Sequence, residues 1–295
     1  MRRRLAVAGV VVALVGLGTP TALATPTVRL KGTSASGYKN LKLPAGTVID
    51  ASAYRITTRD RYSFILGGGS DLTLKGATGV NTLPDSTSWK TFHGSAGVAF
   101  RTPRPRLLDG YFHNFGDSVV ITRDAEGFVV RGNRFSNMHD DAWLENDWER
   151  NGLYEDNYAD GLVGFSARPY LKGAATSAGL QRTLVIRNNV LWLKPMRSVH
   201  VGPKPGNGGV FKWRDPNGYG MRVAMTGNTI RLDKVGAWGS LTFPKSGGYE
   251  NNVIVWTGRG PYPGKVPAGV RVLSGRVGLA HWVTVVADWE RRHRR

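Results

Sequence analysis

The 295-residue chain has no cysteine, which excludes a disulfide framework and any thiolate metal site. No covalent cross-link reinforces the fold, so burial and backbone hydrogen bonds must hold it together. Acid is scarce too. Only 21 Asp and Glu stand against 40 Lys and Arg, a formal net charge of +19 that favours an anionic partner. Long amphipathic helical patterns are also few, which argues against a helical protein.

A single long apolar run exists, and it lies at the start. Arg2, Arg3 and Arg4 precede "LAVAGVVVALVGLG", and "TPTALA" then places Ala22 and Ala24 in small-x-small spacing. This predicts a secretory signal over 1–24, cleaved after Ala24. At about 14 residues the run falls short of the roughly 20 that span a bilayer, so no membrane span is expected. Removing it leaves 37 basic against 21 acidic residues, a formal net charge of +16. The expected product is an exported monomer with one domain over 25–290 and a loose basic tail over 291–295. Export sets nucleic acid aside and leaves an acidic polysaccharide or cell-wall polymer as the anionic partner.

Short runs rich in Val, Ile, Leu and aromatics recur between Gly, Asn and Asp, as strands do. Five share an asparagine: "FVVRGNRF", "GLYEDNYA", "TLVIRNNVL", "VAMTGNTI" and "GGYENNVI", with Asn133, Asn157, Asn189, Asn228 and Asn252 in register. An earlier copy, "RLLDGYFHNF", puts Tyr111 in the asparagine's place. Spacings from Tyr111 onward are 22, 24, 32, 39 and 24, a base period near 22–24 with two insertions. An asparagine in a tight turn tolerates left-handed backbone. Stacked on identical turns, its amide can pair with the next in a ladder.

On these "xVxxNxF" coils the chain resembles a right-handed parallel β-helix of the pectate-lyase-like superfamily. The likeness covers 101–260 best. Residues 25–100 are expected to form N-terminal coils and a cap, with "FILGGGSDLTLKG" as an early coil and Gly67–Gly69 as a turn. Residues 261–290 are expected to form a C-terminal coil or cap. The resemblance implies an all-β solenoid whose substrate cleft lies on the first-strand face, walled by long loops. The long segments 167–182 and 203–221 leave that face.

The acid concentrates in "NMHDDAWLENDW" at 137–148. If "DAWLE" is a first strand, alternation turns Asp141, Trp143 and Glu145 outward and Ala142 and Leu144 inward. The next coil's "LVGFSAR" would set Ser166 and Arg168 beside them, about 4.8 Å across the ladder. "SVHVG" adds His200. His113, Asp117 and Asp124 belong to the coil before, where they extend the groove or merely cover the surface.

Two mechanisms stay open. Glycoside hydrolysis needs an acid and a base carboxylate, either Asp140 with Asp141 or Asp141 with Glu145. The "DD" resembles the adjacent aspartates of polygalacturonases. β-Elimination of a uronate polymer would use Asp141 and Glu145 as Ca²⁺ ligands, with Arg168 as base or clamp. "NRFSNMHDD" followed by "SARP" loosely resembles pectate-lyase segments, with Asp141 where that family has lysine. The cofactor is therefore none or Ca²⁺. Trp143, Trp148 and Tyr170 are expected to stack on sugar rings, with His139, Ser166 and His200 beside them. The function expected is cleavage of an acidic polysaccharide, the alternative a non-catalytic protein that binds one.

Overall fold

In the computed structural model, residues 25–121, 127–146, 151–161, 163–167, 183–194, 210, 222–233, 243 and 247–294 are described. For 141–146, 163–167, Trp89 and Arg222 the description covers the backbone alone.

Every strand pairing among these residues is parallel, and strands consecutive in the chain are rarely neighbours in a sheet. A six-stranded sheet takes Tyr38–Leu43, Tyr62–Gly68, Ala96–Arg101, Asp117–Ile121, Asp141–Asn146 and Val163–Ala167 in that order. Each coil then adds two short strands to a 17-stranded sheet. One file runs from Thr73–Lys75 through Arg106–Leu108, Val129–Arg131, Gly152–Glu155 and Thr183–Arg187 to Arg222–Thr226. The other runs from Thr78–Asn81 through Tyr111–His113, Arg134–Ser136, Tyr158–Gly161 and Val190–Leu193 to Thr229–Leu232 and Asn252–Trp256. The long strand Val48–Thr58 pairs with the first member of both files, which joins them into one sheet. Pairing of each strand with its counterpart one coil on makes the winding solenoid-like and fits a parallel β-helix of repeated coils. The six-stranded sheet is called the first sheet below, and the two files the second and third.

Side-chain alternation builds the core in rows. Phe64, Val98 and Val119 are in register on the first sheet. Leu74, Leu107, Val130, Tyr154, Ile186 and Met225 line up on the second. Phe112, Phe135, Ala159, Leu191, Ile230 and Ile254 line up on the third. All are buried. Because the chain has no cross-link, this apolar burial is the main stabilising term, at about 25 cal/mol per Å².

The asparagines form the expected file between second and third strands. Asn157 shows the pattern: its Oδ1 accepts from the backbone N–H and from Nδ2 of Asn133, both at 2.9 Å. Its Nδ2 donates onward to Asn189 Oδ1 at 3.1 Å and back to the Val130 carbonyl at 2.9 Å. Asn189, Asn228 and Asn252 repeat the arrangement. All donors and acceptors of a buried carboxamide are thus used, as burial demands.

Two details of the expected repeat are corrected. The first coil's frame residue is Gly110, not Tyr111. Gly110 N–H donates to Asn133 Oδ1 at 2.7 Å, and Tyr111 pairs with Arg134. The top of the ladder needs only a backbone donor, so no asparagine is required there. The left-handed residue is also not the ladder asparagine but the one before it: Gly132, Asp156, Asn188, Gly227 and Asn251 all have φ between 52° and 68°.

The end of the chain differs from a loose tail. After a last strand, Val270–Ser274, a helix runs from Gly275 to Arg292, across the boundary expected at 290/291. Trp282, Val285, Val286 and Trp289 recur at the spacing of one helical face. They cover Tyr158, Val190, Val253 and Val255 on the outside of the third sheet. Arg291 and Arg292 fall in the last turn, where cations oppose the helix dipole favourably. No helix of the described residues is long and apolar enough to cross a membrane.

Candidate functional site

Chemistry gathers at the corner where third strands turn into the first sheet. There the short helix Trp89–Phe92 begins with the Thr91 N–H donating to the Ser88 carbonyl at 2.9 Å. It buries Phe92 fully. The Phe92 ring stacks on His139, with centroids 3.7 Å apart and planes 12° from parallel. The next residue, His93, leaves the core: its side chain is 41% exposed, while Asp140, 2.6 Å from its Nδ1, is 0% exposed. Asp140 is fixed by its own N–H donating to the Gly116 carbonyl at 2.8 Å. Gly116 N–H in turn donates to Ser95 Oγ, which donates to the Phe92 carbonyl, both at 2.8 Å. A Cβ at Gly116 would lie 2.0 Å from that carbonyl, so only glycine lets the two coils close this tightly. Arg61 donates from Nε to the carbonyl of Gly94, the residue after His93.

A carboxylate this deeply buried is costly unless a donor satisfies it. His93 Nδ1 lies within hydrogen-bond distance of the carboxylate and, when protonated, donates to it. An imidazole oriented by a buried carboxylate and reaching solvent is arranged for proton transfer.

The residues expected from sequence divide into three groups. Asp140 was expected to touch substrate as an acid. It is wholly buried, with His93 Nδ1 2.6 Å from its carboxylate. His139 is held on both counts, by the Phe92 stack and by Nε2 at 2.7 Å from Asn114 Oδ1, so its position is structural. Asp141, Trp143 and Glu145 do lie on one first-sheet strand, and Ser166 on the next, with Glu145 in register with Ser166 and Val120. The pairing is not the even one expected, because the register shifts between Asp141 and Leu144. The side chains of Asp141, Trp143, Glu145 and Ser166, and all of Arg168, Trp148, Tyr170 and His200, lie outside the described residues. So does Asp124. Among the described residues no cluster of three or more His, Asp or Glu could hold a metal ion, and the Asp141–Glu145 calcium site lies outside them.

His113 is not on the first-sheet face. It sits on the third sheet with Nδ1 2.8 Å from Ser136 Oγ, and burial lowers its pKa. Asp117 is buried at the head of its strand. The glycine run is not the expected turn throughout: Gly67 and Gly68 end the strand Tyr62–Gly68, Gly68 at φ 119°, and only Gly69 lies in the bend after it.

His93 and Arg61 escaped the sequence reading, which aligned strands rather than the turns between them. Aligning the residues just before "AGVAF" and "DAWLE" sets "HGS" (93–95) beside "MHD" (138–140), which brings the two segments together without pairing His93 with Asp140. No family model matches this chain, nor does any curated protein or solved structure.

Proposed function

We propose that the protein is an exported enzyme that cleaves an acidic polysaccharide on the first-sheet side of a right-handed, pectate-lyase-like β-helix. The observation that supports this reading is the half-exposed His93 held by the buried Asp140, at the head of the strand bearing Asp141 and Glu145. Of the two mechanisms, elimination suits this corner better. Hydrolysis by Asp140 with Asp141 asks for two carboxylates open to substrate, and Asp140 is buried; hydrolysis by Asp141 with Glu145 would not use this corner. Elimination asks for a base and a cation to neutralise the uronate carboxylate. His93 Nε2 takes the proton beside that carboxylate, and the bond's electrons form the new carbon–carbon double bond. The glycosidic C–O bond breaks, and the leaving oxygen takes a proton from water. Arg61, which donates to the carbonyl of Gly94, is the cation of this reading that would neutralise the carboxylate. The basic surface as a whole would draw an anionic polymer toward it.

The test is incubation with a panel of acidic polysaccharides, following reducing ends and ultraviolet absorbance of unsaturated uronate together. Elimination yields both signals, persists after chelation of divalent cations, and disappears in His93→Ala. Reducing ends without absorbance would instead mean hydrolysis. Activity lost on chelation and restored by Ca²⁺ would return the chemistry to Asp141 and Glu145. No turnover across the panel would refute the enzyme reading and leave a polysaccharide-binding protein.

A further inference from the structure

Away from that corner, a cavity of about 420 Å³ opens where the last turn of the C-terminal helix overhangs the third sheet. Its volume falls within the range of small-molecule sites, about 300–1,000 Å³. We propose that this cavity binds a single carboxylate-bearing sugar, a uronate unit, without cleaving it.

The walls are held in place. Trp289 Nε1 donates to the Asp156 carbonyl at 2.9 Å, and His293 stacks on Trp289 at 4.1 Å. Arg292 donates to the Asp156 carboxylate at 2.9 Å, and His293 Nε2 lies 3.3 Å from its other oxygen. Charge favours an anion: Arg134 and Arg294 line the cavity against one carboxylate, Glu290. Glu290 already accepts from Arg134 Nη1 at 2.8 Å, and the Arg134 guanidinium lies 4.9 Å over the Tyr158 ring. That anchoring leaves its other N–H groups to receive a carboxylate. Arg294 makes no ion pair among the described residues.

The floor and remaining wall select a ring over a bare ion. Gly132 contributes no side chain, and a Cβ there would meet Asp109 Oδ1 at 2.5 Å and lie 3.6 Å from His293 Nε2. A larger residue would fill the cavity from below. Tyr111 also lines the cavity, an aromatic ring of the kind that packs against the apolar face of a sugar. A simple anion uses neither feature.

Calorimetric titration of the full-length exported protein with galacturonate, galactose and acetate tests the proposal. Galacturonate should saturate a single site, with galactose and acetate at least about tenfold weaker. Arg294→Ala should weaken galacturonate about tenfold, the effect of losing one charge-assisted hydrogen bond, at an unchanged thermal midpoint. His93→Ala should leave this binding intact, which separates it from the proposed reaction. Three results would each overturn the assignment: acetate or galactose binding as well as galacturonate, affinity untouched by Arg294→Ala, or binding lost in His93→Ala.

Discussion

Two corners of the solenoid carry files of asparagines, and they behave differently. Between second and third strands every rung repeats one contact, carboxamide to carboxamide and to backbone, from Asn133 to Asn252. Between third and first strands the asparagines make a new contact at each level. Asn114 Nδ2 donates to the Asn81 and Leu83 carbonyls, while its Oδ1 accepts from Asn137 and faces His139 Nε2. Asn137 also reaches Asp85, and its N–H donates to Asp160, which Lys194 pairs at 2.5 Å. Repetition satisfies each coil identically and needs no cause beyond stability. The unrepeated corner is the one that ends in His93 and Asp140. That corner is where the proposed function places its chemistry, and local departures from a repeat are where a functional site is expected.

The largest expected effect falls on that irregular corner. His93→Ala should lower turnover by about 10²–10⁴-fold, the ordinary weight of a general acid or base. Its thermal midpoint should barely move, since a half-exposed side chain contributes little burial. A midpoint drop with full activity in the remaining folded protein would make the corner structural and erase the contrast.

Asp140→Asn comes next. It keeps the shape but weakens the hold on the imidazole, so kcat should fall by about 10–10²-fold with KM little changed. A lowered thermal midpoint with kcat per folded molecule unchanged would mean that Asp140 only supports packing.

The ladder gives the reverse signature. Asn157→Ala strands the amide of Asn133 and the acceptor of Asn189, and should cost about 1–3 kcal/mol. At about 2–4 °C per kcal/mol the midpoint drops by several degrees, while activity per folded molecule holds.

These contrasts also explain what the sequence could reveal. The ladder was legible because one residue type recurs at one position wherever the geometry recurs. Its first rung was misplaced by one residue because Gly110 joins through its backbone, and backbone leaves no letter in the sequence. The strand carrying Asp141 and Glu145 was legible from alternation, but the register shift between Asp141 and Leu144 was not, since a bulge costs no change of residue type. His93 was hidden by distance: 47 positions separate it from Asp140, and the turn that unites them has no repeat. The C-terminal helix was hidden by its own charge. "ERRHRR" reads as solvated tail until Trp282 and Trp289 are seen to anchor the turns before it.

A third corner, between first and second strands, completes the comparison and should give the smallest effect. There Asp71 and Arg104, both in left-handed backbone, pair across coils at 2.7 Å. At this level the pair is neither a buried ladder nor a buried carboxylate, for both partners are largely solvated. Hydrogen bonds from Arg104, then Ser70, hold the Asp71 pKa at about 2, below the ordinary 3.8. A carboxyl whose folded pKa is depressed adds stability that is present above the unfolded value and lost as pH falls through the folded one. The pair's contribution should therefore be complete above about pH 4 and fade toward pH 2. Asp71→Asn should flatten the acid limb of the stability curve in that window and leave neutral stability almost untouched, as solvated pairs do. Thermal melts of both proteins between pH 2 and 7 measure this directly. A loss at pH 7 as large as that of Asn157→Ala would mean that a repeated surface pair can match a buried ladder, and burial would no longer be what separates the corners.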